Sequence, residues 1–431
     1  MAAFNVIIVL PGTTGTSLVQ SQSDETSSTP FWMDLAIKEG AVTPTLAAAQ
    51  LVAPLWAGTP GGYGKDTGYA SLINTLCAAS GYTQLYASWP TNDPATFNGD
   101  TTTAWLPNKN VLTASTVIGW GYDWRQDNLV TAKMLQNFLS CLWANNQGNI
   151  GTITLIGHSM GGLVSRAYLE YVGSKDPWFS NIDQLITLGT PHLGAPLAMA
   201  PISETMTVTV GGKGNANFFL KLWGDALGIL KQDAVDNVIK MIELVINDGH
   251  DKGKDGTQGM GVSTYQLLPP PNVATNTADA SLIDFITDVV AGKTYNVGNM
   301  PAAVLKLIPD LNQANLAGAE NYFSKLNYTA NPIPYNCIYG VVNAQNPSLD
   351  PSLQGVLTTT TGFSYDSGNN TFLSVDTVGG GDLVVPIASA MFASNTSSSV
   401  TTFEVLGCDH ITMPGNQLVQ NKVRAWLNFP A

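Results

Sequence analysis

The stretch Thr152–Gly162, TITLIGHSMGG, carries the most informative local pattern in this 431-residue chain. Its first half, Thr152 to Ile156, alternates polar and apolar residues around β-branched side chains, which predicts a strand. The pentapeptide Gly-His-Ser-Met-Gly follows directly, and Leu163–Tyr171 then places apolar side chains at helical spacing. A strand, a tight G-x-S-x-G turn and a helix form the local context of a nucleophile elbow, which lifts a serine hydroxyl clear of the sheet. We therefore predict that Ser159 is a nucleophile.

Glycine is the residue that this turn requires. Gly157 and Gly161 keep Cβ atoms away from a bend that is too sharp for side chains. The turn also lies at a helix N-terminus, which favours developing negative charge. A chain with 42 glycines will nevertheless contain such a pentapeptide by chance at appreciable frequency. The alternative is a glycine-rich turn with an ordinary serine, so the motif needs support from the rest of the chain.

Length and charge restrict the classes of protein. The chain is long enough for one large domain with insertions or for two domains. A net charge of −13 argues against nucleic acid as a partner, and against purely electrostatic binding to anionic lipid. No apolar run reaches the ~18 residues of a membrane span, and the first run lacks the basic start and small-residue end of a signal peptide. We expect a soluble protein. The sequence does not determine its compartment, and the protein would be a secreted one if a signal had been removed.

The scarcity of cysteine and histidine shortens the list of candidate site residues. Four cysteines without a C-x-x-C pair predict neither a disulfide framework nor a zinc or redox site, so we expect no metal and no cofactor. The four histidines are His158, His192, His250 and His410. A general base of the histidine type must be one of these.

Strands and helices alternate through most of the chain. The predicted strands, besides the one before Ser159, are Phe4–Leu10, Ser115–Trp120, Asp183–Leu188, Asn336–Val342, Thr371–Val375 and Thr401–Leu406. The predicted helices around them are Gly68–Gly81, Gln126–Asn145 and Gln417–Phe429. This alternation predicts an α/β fold with a mostly parallel central sheet flanked by helices.

One segment breaks the alternation. Residues 201–331 contain two helical stretches, 217–230 and 235–246, and a Pro-Pro-Pro breaker. We interpret this segment as a helical cap inserted between sheet strands. The predicted division is therefore 1–200 for the first part of the core, 201–330 for the cap or lid, and 331–431 for the second part of the core.

The loop after the first strand is a candidate oxyanion hole. Pro11–Thr16 is rich in glycine and threonine, and a backbone N–H with no bulky neighbour is what a developing oxyanion requires. We predict that Thr13 donates one N–H and that Met160, the residue after the nucleophile, donates the other. The alternative is a plain turn from strand to loop.

The order serine, acid, histidine along the chain selects the other two catalytic candidates. His410 lies just past the last predicted strand, so we predict it as the general base. Asp382 lies in a glycine-rich loop 28 residues earlier and could hold the histidine tautomer and stabilise its imidazolium form. Other carboxylates that qualify by position are Asp350, Asp366, Asp376 and Asp409.

Motifs along nearly the whole chain resemble those of one family. They are Leu10–Leu18 (LPGTTGTSL), Phe31–Leu35 (FWMDL), Gly121–Arg125 (GYDWR), Ile156–Gly161 (IGHSMG), Leu188–Pro191 (LGTP), Tyr335–Gly340 (YNCIYG), Gly381-Asp382 with Val385, and His410. In this order the set is similar to the lecithin:cholesterol acyltransferase family, which has lysosomal phospholipase and phospholipid:diacylglycerol acyltransferase branches. The motif Tyr-Asp-Trp-Arg is the most diagnostic of the set.

The resemblance implies an α/β-hydrolase fold, a catalytic triad and two oxyanion donors. The residues concerned are Ser159, Asp382, His410, Thr13 and Met160. The resemblance also implies that Phe31–Trp105 corresponds to a membrane-contacting subdomain and that Pro201–Gly261 corresponds to a mobile lid. The family motif Gly-Asp-Gly-Thr-Val is Gly-Asp-Leu-Val-Val here, so a glycine and a threonine beside the acid are absent. Cys337 matches a family cysteine, but no cysteine stands at the position of its family partner, and Cys408 is the one nearby candidate. Cys77 and Cys141 fall on predicted helices, where free buried thiols are the plain expectation.

Two further polar sites receive structural interpretations. Asp123 and Arg125 lie among aromatic residues, so we expect a charged pair that braces a loop. His192 is expected to be a turn residue, with a place in the substrate pocket as the alternative.

Together these features predict a serine esterase or lipase that hydrolyses, and possesses some ability to transfer, acyl groups of lipid esters such as phospholipids. Its expected partner is a hydrophobic ester substrate, with peripheral contact to a lipid interface through apolar side chains. The alternatives are a broad carboxylesterase or polyester hydrolase and a catalytically silent lipid-binding module.

Overall fold

The computed structural model describes most of the chain outside the first loop and the cap. The described residues are 3–13, 15–19, 56–60, 68–87, 101–146, 149–202, 209–210, 213–214, 261–271, 273, 280–306, 311–342, 359–377, 380–395 and 397–430. The predicted helices at 217–230 and 235–246 lie outside these residues. So does most of the predicted membrane-contacting segment, at residues 31–55, 61–67 and 88–100.

A seven-stranded sheet lies at the centre of the fold. Its strands in chain order are β1 Phe4–Leu10, β2 Thr83–Ala87, β3 Thr116–Trp120, β4 Ile150–His158, β5 Ile182–Leu188, β6 Tyr335–Val341 and β7 Val400–Leu406. Their order across the sheet is β7-β6-β5-β4-β1-β3-β2. Every neighbouring pair is parallel. The prediction of a mostly parallel sheet is therefore confirmed.

The first strand shows why its sequence is apolar throughout. Successive side chains of a strand point to opposite faces, and a parallel sheet covered on both sides buries both sets. Val6, Ile8 and Leu10 belong to the apolar core on one face, whereas Ile7 and Val9 belong to the core on the other. All five side chains are at most 2% exposed.

Helices cover the two faces of the sheet. In chain order they are α1 Tyr69–Ser80, α2 Asn128–Asn146, α3 Met160–Ala167, α4 Met199–Ile202, α5 Val262–Tyr265, α6 Ala280–Ile283, α7 Ala302–Lys306, α8 Gln313–Phe323, α9 Ile387–Ala390 and α10 Gln417–Trp426. A π-helical turn, Tyr168–Val172, continues α3, and 3₁₀ turns occupy Phe179–Asn181, Pro196–Ala198 and Met413–Gly415. Helices α2 and α3 pack on one face of the sheet, and α1 and α10 pack on the other.

Local sequence determines where several helices begin and end. Asn312 and Asn416 cap α8 and α10, because each side chain accepts hydrogen bonds from the backbone N–H groups two and three residues later. Gly81 ends α1 in a left-handed conformation with φ of 72°. Among the described residues, no helix combines the length and apolar character needed to cross a bilayer.

The described residues form three smaller sheets besides the central one. A four-stranded sheet contains Lys293–Tyr295, Ile286–Asp288, Thr360–Asp366 and Thr371–Thr377, in that order. Two antiparallel pairs join Thr16–Val19 to Trp56–Pro60 and Thr209–Val210 to Lys213–Gly214.

The smaller sheets revise the sequence interpretation in one respect. The predicted strand Thr371–Val375 belongs to the four-stranded sheet, so residues 360–377 add a separate layer within the segment assigned to the core. The division into core and cap stays a prediction. Part of the assigned cap packs directly on the core, since Gly261 N–H donates to Arg125 O at 2.8 Å and Ala195 N–H donates to Leu267 O at 2.7 Å.

Candidate active site

The turn after β4 holds Ser159 in a strained conformation. Its φ of 52° and ψ of −125° are values that a residue with a Cβ rarely adopts. The backbone N–H of Ser159 donates to Leu188 O at 2.9 Å, which ties the turn to the end of the neighbouring strand β5. This geometry is that of the predicted elbow: a strand ends at His158 and α3 begins at Met160.

Close backbone packing explains the glycines of the turn. A Cβ on Gly157 would lie 2.5 Å from Gly162 Cα, and a Cβ on Gly161 would lie 2.5 Å from Leu10 O. The sequence analysis identified these two glycines but not Gly162, whose added Cβ would lie 2.0 Å from Thr190 Oγ1. All three positions therefore require glycine for steric reasons.

His410 lies beside the serine. The loop after β7 places its Nε2 2.9 Å from Ser159 Oγ. That loop crosses close to β6, because Gly407 N–H donates to Val341 O at 2.8 Å and a Cβ on Gly340 would lie 2.1 Å from Cys408 O. His410 is 5% exposed and Ser159 is 8% exposed, so both side chains are nearly buried but keep a small solvent-accessible area.

Asp382 lies on the other side of the imidazole. Its Oδ2 is 2.7 Å from His410 Nδ1, and the side chain is fully buried. The other carboxylate oxygen, Oδ1, accepts hydrogen bonds from Val384 N–H at 3.1 Å and Val385 N–H at 2.7 Å. Because Oδ1 is occupied by two backbone donors, the carboxylate can present only Oδ2 to the histidine.

The other candidate carboxylates have different partners or positions. Asp409 accepts from the backbone N–H groups of Ile411 and Thr412, and Asp366 accepts from those of Gly368 and Asn369. Asp376 lies in the strand Thr371–Thr377, and Asp350 lies outside the described residues. Asp382 is the candidate that the structure brings to His410.

The loop after β1 lies against the elbow. A Cβ on Gly12 would lie 2.7 Å from Ser159 Cβ, and the Thr13 hydroxyl contacts Met160 Sδ at 3.6 Å. The two predicted oxyanion donors are thus neighbours beside the serine. Two tyrosines hold this loop: Tyr122 belongs to the motif Gly121–Arg125, whereas Tyr69 carries no sequence signal of a role in the site. Tyr69 Oη accepts from Gly12 N–H at 2.9 Å, and Tyr122 Oη donates to Pro11 O at 2.8 Å.

Leu383, the residue after Asp382, has a strained backbone conformation. Leu383 has a φ of 79°, in the left-handed region that favours glycine, yet its side chain is 1% exposed. A glycine would adopt this φ without strain. Leu383 therefore combines local strain with the burial of a large apolar side chain.

His158, the residue before the nucleophile, has partners on both ring nitrogens. Its Nδ1 lies 2.6 Å from Tyr69 Oη, and its Nε2 lies 2.9 Å from His410 O. Burial lowers the pKa of His158 to about 3, and the nearby charge of His410 acts in the same direction. His158 is therefore a neutral imidazole at physiological pH.

The remaining polar predictions concern structural residues. Asp123 and Arg125 form a fully buried ion pair at 2.7 Å, as expected of a brace. His192 is buried and stacks on Phe392 with ring centroids 4.6 Å apart. Its Nε2 lies 3.1 Å from Thr187 Oγ1, and burial holds its pKa well below the usual range. These contacts support the interpretation of His192 as a structural residue.

The structure shows no disulfide among Cys77, Cys141, Cys337 and Cys408, so Cys408, the candidate partner of Cys337, is not bonded to it. Burial raises the pKa of Cys337 to about 11, so its thiol stays protonated. Within the described ranges, no group of three or more His, Cys, Asp or Glu side chains is placed to hold a metal ion.

The arrangement is suited to nucleophilic catalysis. A hydroxyl, an imidazole and a buried carboxylate form an unbroken series of contacts at 2.9 and 2.7 Å. Ser159 and His410 follow the carboxyl ends of the parallel strands β4 and β7, where α/β folds place their sites. Asp382 lies beside the carboxyl end of β6, since Val342 N–H donates to Gly381 O at 2.8 Å. Such a series can remove the hydroxyl proton, and the glycine-rich loop after β1 lies against Ser159.

Comparisons with known proteins agree with this fold. A family profile described as "PGAP1-like alpha/beta domain" matches residues 125–213, which include the elbow. The chain is similar to a solved structure described as "The crystal structure of Tle4-Tli4 complex", at 13% identity over 97% of each chain with a TM-score of 0.52. No curated protein matches the chain.

Two other solved structures are similar at lower scores. A lin2722 gene product of Listeria innocua has 11% identity over 99% of this chain and 96% of its own, with a TM-score of 0.39. A monoacylglycerol lipase of Paleococcus ferrophilus has 11% identity over the same shares, with a TM-score of 0.32. The chain has the α/β-hydrolase fold, and its resemblance to the lecithin:cholesterol acyltransferase family stays a prediction.

Proposed function

We propose that this protein is a serine hydrolase that cleaves carboxylic esters of lipids through an acyl-Ser159 intermediate. One observation carries the proposal: His410 contacts Ser159 Oγ through Nε2 and the buried Asp382 through Nδ1. The tautomer follows from these contacts. Asp382 Oδ2 accepts the Nδ1 proton, which leaves Nε2 unprotonated and able to accept the serine proton.

The first half-reaction forms the acyl-enzyme. Ser159 Oγ attacks the ester carbonyl carbon while its proton moves to His410 Nε2, and the carbonyl oxygen becomes an oxyanion. The backbone N–H groups of Thr13 and Met160 stabilise that oxyanion. The tetrahedral intermediate then collapses, the bond to the alcohol oxygen breaks, and the His410 imidazolium protonates the leaving alcohol.

The second half-reaction releases the acyl group. His410 removes a proton from water as the water oxygen attacks the acyl carbon, and collapse returns that proton to Ser159 Oγ. The products are a carboxylic acid and the free enzyme. If a lipid alcohol occupies the place of water, the same steps yield a new ester, so hydrolysis and acyl transfer differ only in the acceptor.

Lipid esters are the substrate class that the sequence favours. The ordered motif set resembles a family of lipid acyl hydrolases and acyltransferases, and Phe31–Trp56 carries many apolar side chains with few charges. Burial of acyl chains on apolar side chains contributes about 0.8 kcal/mol per methylene. We therefore propose a phospholipid or related acyl lipid as substrate, with hydrolysis favoured over transfer.

Covalent labelling tests the nucleophile. A fluorophosphonate should label the wild-type protein, and Ser159→Ala should abolish both labelling and ester turnover. Ser165→Ala is the matched control, because Ser165 is a fully buried serine of α3 whose hydroxyl donates only to Gly161 O at 2.8 Å. Turnover by Ser159→Ala within a few-fold of wild type would overturn the mechanism.

Two substrate series test the lipid assignment. With p-nitrophenyl esters, kcat/KM should rise from acetate to long acyl chains, and turnover restricted to acetate and butyrate would exclude the lipid substrate. Product analysis on phospholipid vesicles, with and without a long-chain alcohol, then distinguishes hydrolysis from acyl transfer. A complete absence of the alcohol ester would remove the transfer half of the proposal, with Ser159→Ala as the blank.

A further inference from the structure

The buried ring of His158 connects two loops that the proposed reaction needs in fixed positions. One loop, after β1, carries Gly12 and Thr13. The other, after β7, carries His410. In the sheet, β5 and β6 lie between β4 and β7, and β1 lies on the other side of β4, so no strand pairing joins the two loops directly. The ring of His158 contacts Tyr69 Oη on one side and His410 O on the other. Tyr69 Oη in turn contacts Gly12 of the loop after β1.

The direction of every bond in this connection follows from its ends. The backbone carbonyl of His410 can only accept, so the His158 Nε2 that lies 2.9 Å away carries the hydrogen. In the neutral imidazole, Nδ1 is then an acceptor, and it must receive its bond from Tyr69 Oη at 2.6 Å. Tyr69 Oη in turn accepts from Gly12 N–H at 2.9 Å. Burial raises the pKa of Tyr69, so the hydroxyl keeps the proton that it donates.

The charge state of His158 fits the chemistry beside it. The rings of His158 and His410 have centroids 4.9 Å apart. In the proposed reaction His410 becomes an imidazolium, and a second cation at this distance in a buried site would oppose it. His158 is held neutral by burial, and its remaining ring nitrogen faces a hydroxyl and not a carboxylate.

We propose that Tyr69 and His158 are positioning residues that hold the oxyanion loop and the His410 backbone in register across Ser159. This inference rests on the proposed function, because its catalytic consequence exists only if Ser159 is the nucleophile. The contacts that carry it are the Gly12–Tyr69, Tyr69–His158 and His158–His410 hydrogen bonds.

Removal of one hydroxyl tests the connection. Tyr69→Phe leaves Gly12 N–H and His158 Nδ1 without this partner, and displacement of either loop should lower kcat roughly 10–100-fold. KM for a soluble ester should stay within about twofold, because Tyr69 is buried and its hydroxyl bonds to Gly12 and His158. The rate of fluorophosphonate labelling should fall by the same factor as kcat.

A matched tyrosine provides the control. Tyr168 is also fully buried, and its hydroxyl likewise accepts from an N–H, Trp178 Nε1 at 2.9 Å, and donates to an acceptor, Asp176 Oδ2 at 3.1 Å. Trp178 precedes the start of β5, at the edge of the sheet opposite the site. Tyr168→Phe should lower thermal stability without changing kcat. If Tyr69→Phe behaves in the same way, the proposal is wrong.

Variants of His158 separate the two halves of the connection. The side-chain oxygen of His158→Asn can accept at the Nδ1 position, and the side-chain nitrogen of His158→Gln can donate at the Nε2 position. Both should retain more activity than His158→Leu, which can do neither. In addition, the double variant Tyr69→Phe with His158→Leu should be coupled. Its fold-loss of kcat should be at least about threefold smaller than the product of the fold-losses of the two single variants. A loss equal to that product, or equal activity of all three His158 variants, would overturn the coupling.

Nuclear magnetic resonance of ring nitrogens tests the connection without catalysis. His158 should be the neutral tautomer with hydrogen on Nε2 from pH 5 to pH 8 in the wild type, and Tyr69→Phe should shift its Nδ1 resonance. A protonated His158 at pH 6, or a hydrogen on Nδ1, would refute the bonding pattern. Absence of labelling and turnover in the wild type would instead refute the proposed function, and leave these resonances as the independent result.

Discussion

Replacing Asp382 by Asn should disable the site while leaving the fold intact, because the structure dictates how the new amide must orient. Asp382 Oδ1 accepts two backbone hydrogen bonds, from Val384 and Val385. Only the oxygen of an amide can accept these bonds, so the amide nitrogen must occupy the place of Oδ2, 2.7 Å from His410 Nδ1.

The reversed donor changes the tautomer of the base. The amide N–H now donates to His410 Nδ1, so the imidazole hydrogen moves to Nε2, which faces Ser159 Oγ. Nε2 can then no longer accept the serine proton. Loss of the correct tautomer in a triad costs roughly 10⁴-fold in kcat. At about 1.36 kcal/mol per tenfold, this is about 5.4 kcal/mol of transition-state stabilisation.

The assay compares kcat on a p-nitrophenyl ester for wild type, Asp382→Asn and a matched control. Asp409→Asn is that control, because Asp409 Oδ1 also accepts two backbone N–H groups while the residue makes no side-chain contact with the His410 ring among those described. Asp382→Asn should lose roughly 10⁴-fold at a melting temperature within a few degrees of wild type, and Asp409→Asn should stay within about threefold. Retention of more than a tenth of the wild-type kcat by folded Asp382→Asn would refute the reasoning.

Substitutions at three further positions, Gly12, Leu383 and His158, test the residues around the site. Gly12→Ala should reduce kcat about 100-fold, because its Cβ would lie 2.7 Å from Ser159 Cβ and displace the oxyanion loop; unchanged initial rates would exclude that loop from the reaction. Leu383→Gly should be less stable than wild type in urea unfolding but about 1 kcal/mol more stable than Leu383→Ala, since alanine keeps the strain of φ 79° without the buried side chain; the opposite order would refute the strain. The pKa of His158 is about 6.5 in the unfolded chain and about 3 in the folded protein. Between these pH values proton binding to His158 therefore favours unfolding. From pH 7.5 to pH 5 the unfolding free energy of the wild type should fall by about 2 kcal/mol more than that of His158→Gln. If the two proteins lose stability in parallel over this range, the lowered pKa of His158 is wrong.

Most of the central sheet could be predicted because its strands are apolar over their own length. Phe4–Leu10 and the second half of Ile182–Leu188 carry the signal of strands that are buried on both faces. Thr83–Ala87 was missed because it is an edge strand whose first two residues are exposed, so it shows no apolar run. In the four-stranded sheet, Ile286–Asp288 is too short for periodicity and pairs with a strand more than 70 residues away.

The elbow, the order of the candidate triad and the need for glycine around Ser159 could be inferred from the residues alone. These features depend on local periodicity and on the space available to a Cβ, which neighbouring residues settle. The folded chain was needed to show which aspartate meets His410, that Leu383 has a left-handed conformation, and that Tyr69 and His158 link two loops. Those contacts join residues up to 252 positions apart, as between His158 and His410, and such pairings arise only when separate strands bring their carboxyl ends to one edge of the sheet.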